Sequence, residues 1–169
     1  MLYANKFQAG AAWAFGSFFM RRLRQTTMGE QKNKRWWDDG LYFSCLGCGK
    51  CCGGEPGFIW LDLKEAQKIA EFLGIEAPFF LATYTHKKLG RISIKEKENG
   101  DCQFLAWGKC EIYPVRPLQC RLYPFWPSIL SSPRGWSWEG RRCPGIGQGR
   151  FYPAKIIDRM LVKALPLGL

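Results

Sequence analysis

The chain of 169 residues holds one histidine, His86, and no cysteine before position 45. A single histidine leaves little room for imidazole catalysis. Any Ser/His or Cys/His arrangement would have to use His86, which sits in the polar stretch Thr85-His86-Lys87-Lys88 and reads as a surface residue. Long apolar runs are also missing. The apolar stretch from Phe7 to Met20 spans about 14 residues, short of the roughly 20 that cross a bilayer. Only Lys6 precedes it, while Arg21, Arg22 and Arg24 follow, the reverse of a secretory signal. Acidic residues are few, with 14 Asp and Glu against 25 Lys and Arg, and the formal charge is +11. Such a balance suits nucleic acid, anionic lipid or an acidic protein without choosing among them. A phosphate-binding loop is absent too. Gly145, Gly147 and Gly149 have no strand–glycine–helix frame and no following Lys-Ser/Thr, so they read as a turn after a ligand cysteine.

What the chain does have is cysteine, crowded into one stretch. Cys45-Leu-Gly-Cys48-Gly-Lys-Cys51-Cys52 places four thiols in eight residues, and Cys102, Cys110, Cys120 and Cys143 follow. A C-x2-C-x2-C-C run is too dense for packing cysteine. Thiolates bind Zn2+ or iron–sulfur clusters, and a two-residue gap lets both sulfurs of a turn face one ion. Eight is even, so a disulfide framework is the alternative. Gly47 and Gly49 flank Cys48 and Gly53 follows Cys52, where a backbone folding its N–H groups toward sulfur needs positive φ. Neighbouring side chains of an extended chain point to opposite sides, so Cys51 and Cys52 are expected to serve different sites, or one to ligate while the other packs. The expected partition puts Cys45, Cys48 and Cys51 with one distal cysteine, and Cys52 with the remaining ones. Two four-thiolate zinc sites would lower the formal charge to about +7.

The other segments read as short elements around this stretch. Residues 1–39 form an apolar and basic extension. It is either the product of an upstream start codon, with the domain beginning near Met28 or Met20, or an interfacial helix on a membrane surface through residues 7–24. Trp36-Trp37 is expected to pack on the domain edge. Phe58-Ile59-Trp60-Leu61 reads as a buried strand. Asp62 and Glu65 make a capping box for a helix whose stripe is Leu63, Ala66, Ile69, Ala70 and Leu73, with Gly74 as its stop. A second helix is expected from Phe79 to about His86 after Pro78. Asn99-Gly100 predicts a hairpin over 91–106, and Trp107-Gly108-Lys109 a second turn. Pro117 can open a single helical turn ending at Cys120. Arg116 and Arg121 flank that cysteine and would either offset thiolate charge or form surface salt bridges. Trp136-Ser-Trp138 reads as an edge strand, and 153–165 as an amphipathic helix with Ile156, Ile157, Met160, Leu161 and Leu165 on its apolar face. The fold class is α+β: a small irregular metal-centred domain over 40–152, with short antiparallel hairpins and two to four helices, and the helix of 153–169 packed on it.

These motifs, with Cys110-x-Ile-Tyr-x2-Arg-Pro-x2-Cys120-Arg and Cys143-Pro-Gly, resemble the CxxCxxCC family of zinc- or iron-chelating domains, the YkgJ-type cysteine-cluster proteins. The resemblance covers about residues 40–150. It implies that all eight cysteines, Cys45, Cys48, Cys51, Cys52, Cys102, Cys110, Cys120 and Cys143, are metal or cluster ligands in a bacterial family of poorly defined role. Some relatives are labelled flagellin lysine methylases, but no glycine-rich strand–loop–helix is present here to seat S-adenosylmethionine.

Three functions follow, in this order. The first is a metal-binding module holding zinc or an iron–sulfur cluster in a structural, chelating or electron-transfer role, with no catalytic residue. The second is an enzyme or accessory in protein lysine methylation or a redox reaction. The third is a zinc-stabilised nucleic-acid binder. The metal ion is the expected partner, no protein partner is specified, and the expected location is cytoplasmic.

Overall fold

The computed structural model describes residues 34–54 and 56–169. The extension expected over 1–39, with its interfacial helix at 7–24, lies largely outside them. Lys34–Leu169 form one compact unit. In chain order it contains β1 (Leu41–Phe43), β2 (Ile59–Leu61), α1 (Leu63–Leu73), α2 (Ala77–Tyr84), β3 (Thr85–Lys88) and β4 (Arg91–Ile94). Then follow β5 (Leu105–Ala106), β6 (Lys109–Cys110), α3 (Leu118–Leu122), α4 (Pro127–Leu130), α5 (Pro133–Arg142), β7 (Arg150–Tyr152) and α6 (Ala154–Ala164). The class is α+β, as the sequence implied. Four helices reach eight residues or more, and α3 and α4 are little more than single turns.

All three sheets are antiparallel: β1–β7, β2–β4–β3 and β5–β6. Helix α1 starts where its cap predicts. Asp62 accepts the Glu65 N–H at 2.8 Å and Glu65 accepts the Asp62 N–H at 3.3 Å. It stops at Gly74, whose φ of 69° only glycine adopts cheaply. Ala66, Ile69 and Ala70 are buried along its inner face, while Leu63 at the first turn is exposed. Phe80 of α2 is fully buried against the same core.

Two elements depart from the sequence reading. Helix α2 ends at Tyr84, before His86, because Thr85–Lys88 turns back through Leu89 and Gly90 to pair with β4. Both turn residues have positive φ, 51° and 75°, the pattern of a tight I′-like hairpin turn. β4 therefore pairs with β2 and β3, and the expected 91–106 hairpin shrinks to the Glu96–Cys102 bridge. Its strand thus places His86 half-buried, with Nε2 buried and without a hydrogen-bond partner.

Trp136-Ser-Trp138 lies in α5, not in a strand. Ser132 caps the helix by accepting the Gly135 N–H at 3.1 Å, and Pro133 occupies its first turn. A strand would place the two tryptophans on one face, whereas a helix separates them by about 200°. Trp136 is buried and Trp138 is 64% exposed, under the guanidinium of Arg141.

The apolar interior forms two clusters. One gathers Leu61, Ile69, Phe80, Ile94, Phe104 and Ile112 between the β2–β4–β3 sheet, α1 and α2. The other gathers Phe43, Phe125, Leu130, Trp136 and Ile157, with Trp36 and Trp37 packed against it. Trp36 donates to the Leu130 carbonyl at 2.9 Å.

Candidate metal centre

The eight cysteines approach one another from both clusters. Cys102 is buried in the first cluster, with Cys52 and Cys110 packed against it, and Cys143 is buried in the second. Backbone hydrogen bonds explain the convergence. The Cys102 N–H donates to the Cys52 carbonyl at 2.7 Å, tying the cysteine run to the segment after β4. Gly145 and Ile146 run beside β1: the Ser44 N–H donates to the Gly145 carbonyl at 3.1 Å, and Phe43 bridges Ile146. A Cβ on Gly145 would lie 2.0 Å from the Ser44 carbonyl oxygen, so only glycine lets the segment after Cys143 run this close to the residue before Cys45. Cys110 ends β6, and Cys120 sits in α3.

All eight cysteines line one cavity of about 330 Å³ between the two clusters. The Cys45, Cys48 and Cys51 residues are exposed, Cys52, Cys110 and Cys120 half-buried, and Cys102 and Cys143 buried. None forms a disulfide. Among the described residues no imidazole or carboxylate lines this cavity, so sulfur dominates its donor set. Such a set fits soft and borderline metals, zinc and iron–sulfur clusters, and not calcium or magnesium. Among the described residues no three His, Cys, Asp or Glu side chains stand at closed metal-site geometry.

The Cys51 and Cys52 sulfurs are 3.8 Å apart. Two ligands on one tetrahedral zinc, with Zn–S near 2.3 Å, stand about 3.8 Å apart as well. The opposite-face expectation assumed an extended chain. Lys50–Cys52 instead form a 3-10 turn, closed by the Cys52 N–H on the Gly49 carbonyl at 2.8 Å, and this brings the two thiols together. Gly47 and Gly49 have φ of 64° and 68° as expected. Gly53 is extended, with φ −145°. It is glycine because a Cβ would meet Asp101 Oδ1 at 2.3 Å.

The thiols differ electrostatically. Hydrogen bonding with Cys52 brings Cys51 down to about 7, and the same partner brings Cys110 down to about 7. Cys52 is pushed up because it keeps the proton shared with Cys110 and Cys51. Burial raises Cys102 to about 11 and also raises Cys120 and Cys143. Two phenols join the cavity wall. Tyr113 is raised by hydrogen bonding with Cys45. Tyr123 is raised by burial and by its 2.5 Å hydrogen bond to Glu139.

The arginines flanking Cys120 divide. Arg121 pairs with Glu65 at 3.4 Å on the surface. Arg116 stacks on Tyr113 at 3.8 Å and donates to its carbonyl at 2.8 Å, and its charge favours the Cys51 and Cys110 thiolates. The sequence reading passed over Arg142, whose guanidinium donates to the carbonyls of Lys50 and Gly53. It carries the same signal as Arg121, an arginine beside a cysteine.

Residues 44–144, which hold every one of these cysteines, match the model of the CxxCxxCC family, described as a "putative zinc- or iron-chelating domain". The chain belongs to the CxxCxxCC family. It is 36% identical over 89 residues to the uncharacterized protein MJ0661 of Methanocaldococcus jannaschii, covering 52% of this chain and 47% of that one. The chain thus spans about half the length of this curated relative. No solved structure matches it. No helix among the described residues is long and apolar enough to cross a membrane.

Proposed function

We propose that this CxxCxxCC protein holds zinc or an iron–sulfur cluster through its eight cysteine thiolates, in a chelating, structural or electron-transfer role. The observation that carries the reading is the single cavity lined by all eight cysteines and, among the described residues, by no imidazole or carboxylate. These cysteines come from segments 98 residues apart in sequence, measured from Cys45 to Cys143, so their convergence is a property of the fold. The exposure of Cys45, Cys48 and Cys51 leaves one side of the centre open, which favours a metal that can be loaded and removed over a sealed structural ion. When bound, zinc would supply charge neutralisation and cross-linking, and a cluster would supply one-electron chemistry. The chain's own part is to present thiolates: Cys51 and Cys110 ionise near neutral pH, and Tyr113 and Tyr123 offer phenols beside Cys45 and Cys143.

Elemental analysis and an absorption spectrum of protein purified without oxygen test this. About two zinc ions per chain in colourless protein, or iron with sulfide and a broad visible band, support the reading. Metal-free protein with no free thiols would overturn it in favour of disulfides.

A further inference from the structure

A metal-binding thiolate needs its sulfur held in register, and groups outside the ligand shell do much of that holding. The turn carrying Cys51 and Cys52 is only three residues long and has no side-chain cap. Its carbonyls are held from elsewhere in the fold. Arg142 Nε donates to the Lys50 carbonyl at 3.0 Å, and Nη2 donates to the Gly53 carbonyl at 2.8 Å. The guanidinium therefore straddles the turn, fixing the residue before Cys51 and the residue after Cys52. Arg142 is the last residue of α5, and the next residue, Cys143, is anchored by its N–H on the Glu139 carbonyl at 2.8 Å. One side chain thus ties the cysteine turn to Cys143 across about ninety residues of chain (separations of 92 and 89).

We propose that Arg142 is a positioning residue for the metal centre: a two-pronged clamp on the Lys50 and Gly53 carbonyls that preorganises Cys51 and Cys52 against Cys143. This rests on the reading that the cysteines bind metal. The planar fork matters because it serves two carbonyls at once, which a lysine ammonium on a flexible stem does not do in a fixed geometry.

The test compares the full chain with Arg142→Ala and Arg142→Lys. Each is stripped of metal and titrated with Zn2+ against a chromophoric chelator, then with Co2+ followed by its thiolate charge-transfer band. Loss of an outer partner of a metal ligand typically costs 10–100-fold in affinity. Arg142→Ala is expected to show such a loss with unchanged stoichiometry, an altered Co2+ band and a metal-free melting temperature close to that of the parent. Arg142→Lys is expected to recover only part of the affinity. Zinc affinity of Arg142→Ala within twofold of the parent overturns the clamp. So does a metal-free melting temperature that falls in step with affinity, which would make Arg142 a general support of the fold. If Arg142→Ala does not fold, Arg142→Lys decides: parental affinity would show that charge alone suffices. A parent chain that takes up neither ion overturns the metal reading and the clamp together, whereas a parent that binds and variants that match it overturn the clamp alone.

Discussion

Gly49 joins the cysteine run to the rest of the domain. Its φ is 68°, and a Cβ there would meet the Gly108 carbonyl oxygen at 2.4 Å and Leu105 Cδ1 at 2.8 Å. Gly47, two residues earlier, has a φ of 64° with nothing within 4 Å of such a Cβ. Gly47→Ala should therefore cost only the left-handed penalty, about 1–2 kcal/mol. Gly49→Ala adds overpacking against a backbone carbonyl that moves only if the β5–β6 turn moves, for roughly 2–5 kcal/mol in all. Urea unfolding of the two variants measures the difference. Equal costs would mean that the cysteine loop is not seated on that turn. The positive φ at both positions was legible in the sequence, because a glycine beside a ligand cysteine has a local reason to be there. Gly53 was not, since its reason is Asp101, nearly fifty residues further on, and no local pattern encodes that approach.

Helix α1 shows the same division between local and distant information. The Asp62–Glu65 box and the Gly74 stop are both written within the helix and both appear in the fold. What the sequence does not show is the second use of Glu65. Its Oε1 accepts the Leu118 N–H at 2.6 Å and faces Arg121, so the cap of α1 also anchors α3, which carries Cys120. Asp62→Ala should cost about 1 kcal/mol of stability, as an ordinary lost cap does, and leave metal retention unchanged. Glu65→Ala should cost a similar amount through the cap and also speed metal loss to a chelator, because α3 loses its tether. Equal chelator half-times for the two variants would show that Cys120 does not depend on Glu65. Hairpin β3–β4 was hidden for another reason. Its turn, Leu89-Gly90, lacks the Asn-Gly or Asp-Gly pair that marks I′ turns, while Asn99-Gly100 carries that mark but closes only an isolated bridge. Trp136 and Trp138 suggested a strand because alternation over three residues is too short to separate period 2 from period 3.6, and Ser132-Pro133 just upstream was the stronger signal.

At the scale of the whole molecule, the cavity lies between two apolar clusters, each built mainly of large aliphatic and aromatic side chains with its cysteines at the edge facing the cavity. Phe80, Ile69 and Ile94 fill one, and Phe125, Leu130 and Ile157 the other, all essentially fully buried. Burying each such side chain contributes about 1.5–3 kcal/mol. Neither cluster therefore needs metal to hold its own helices. What metal would add is a link across the cavity, joining Cys52, Cys102 and Cys110 on one side to Cys143 on the other. Bound metal at a hundred times its dissociation constant stabilises the fold by about 2.7 kcal/mol. Chelation should accordingly lower the melting temperature by several degrees, restored by zinc, while far-ultraviolet circular dichroism keeps most of its helical signal. A protein held together by its metal alone behaves differently, losing helix and transition together, as small zinc fingers do. Complete unfolding on chelation would show that the two clusters do not stand without the link. An unchanged transition would show that the thiols do not bridge them. The partial outcome belongs to a domain whose cores form the walls of the site and whose metal closes the gap between them.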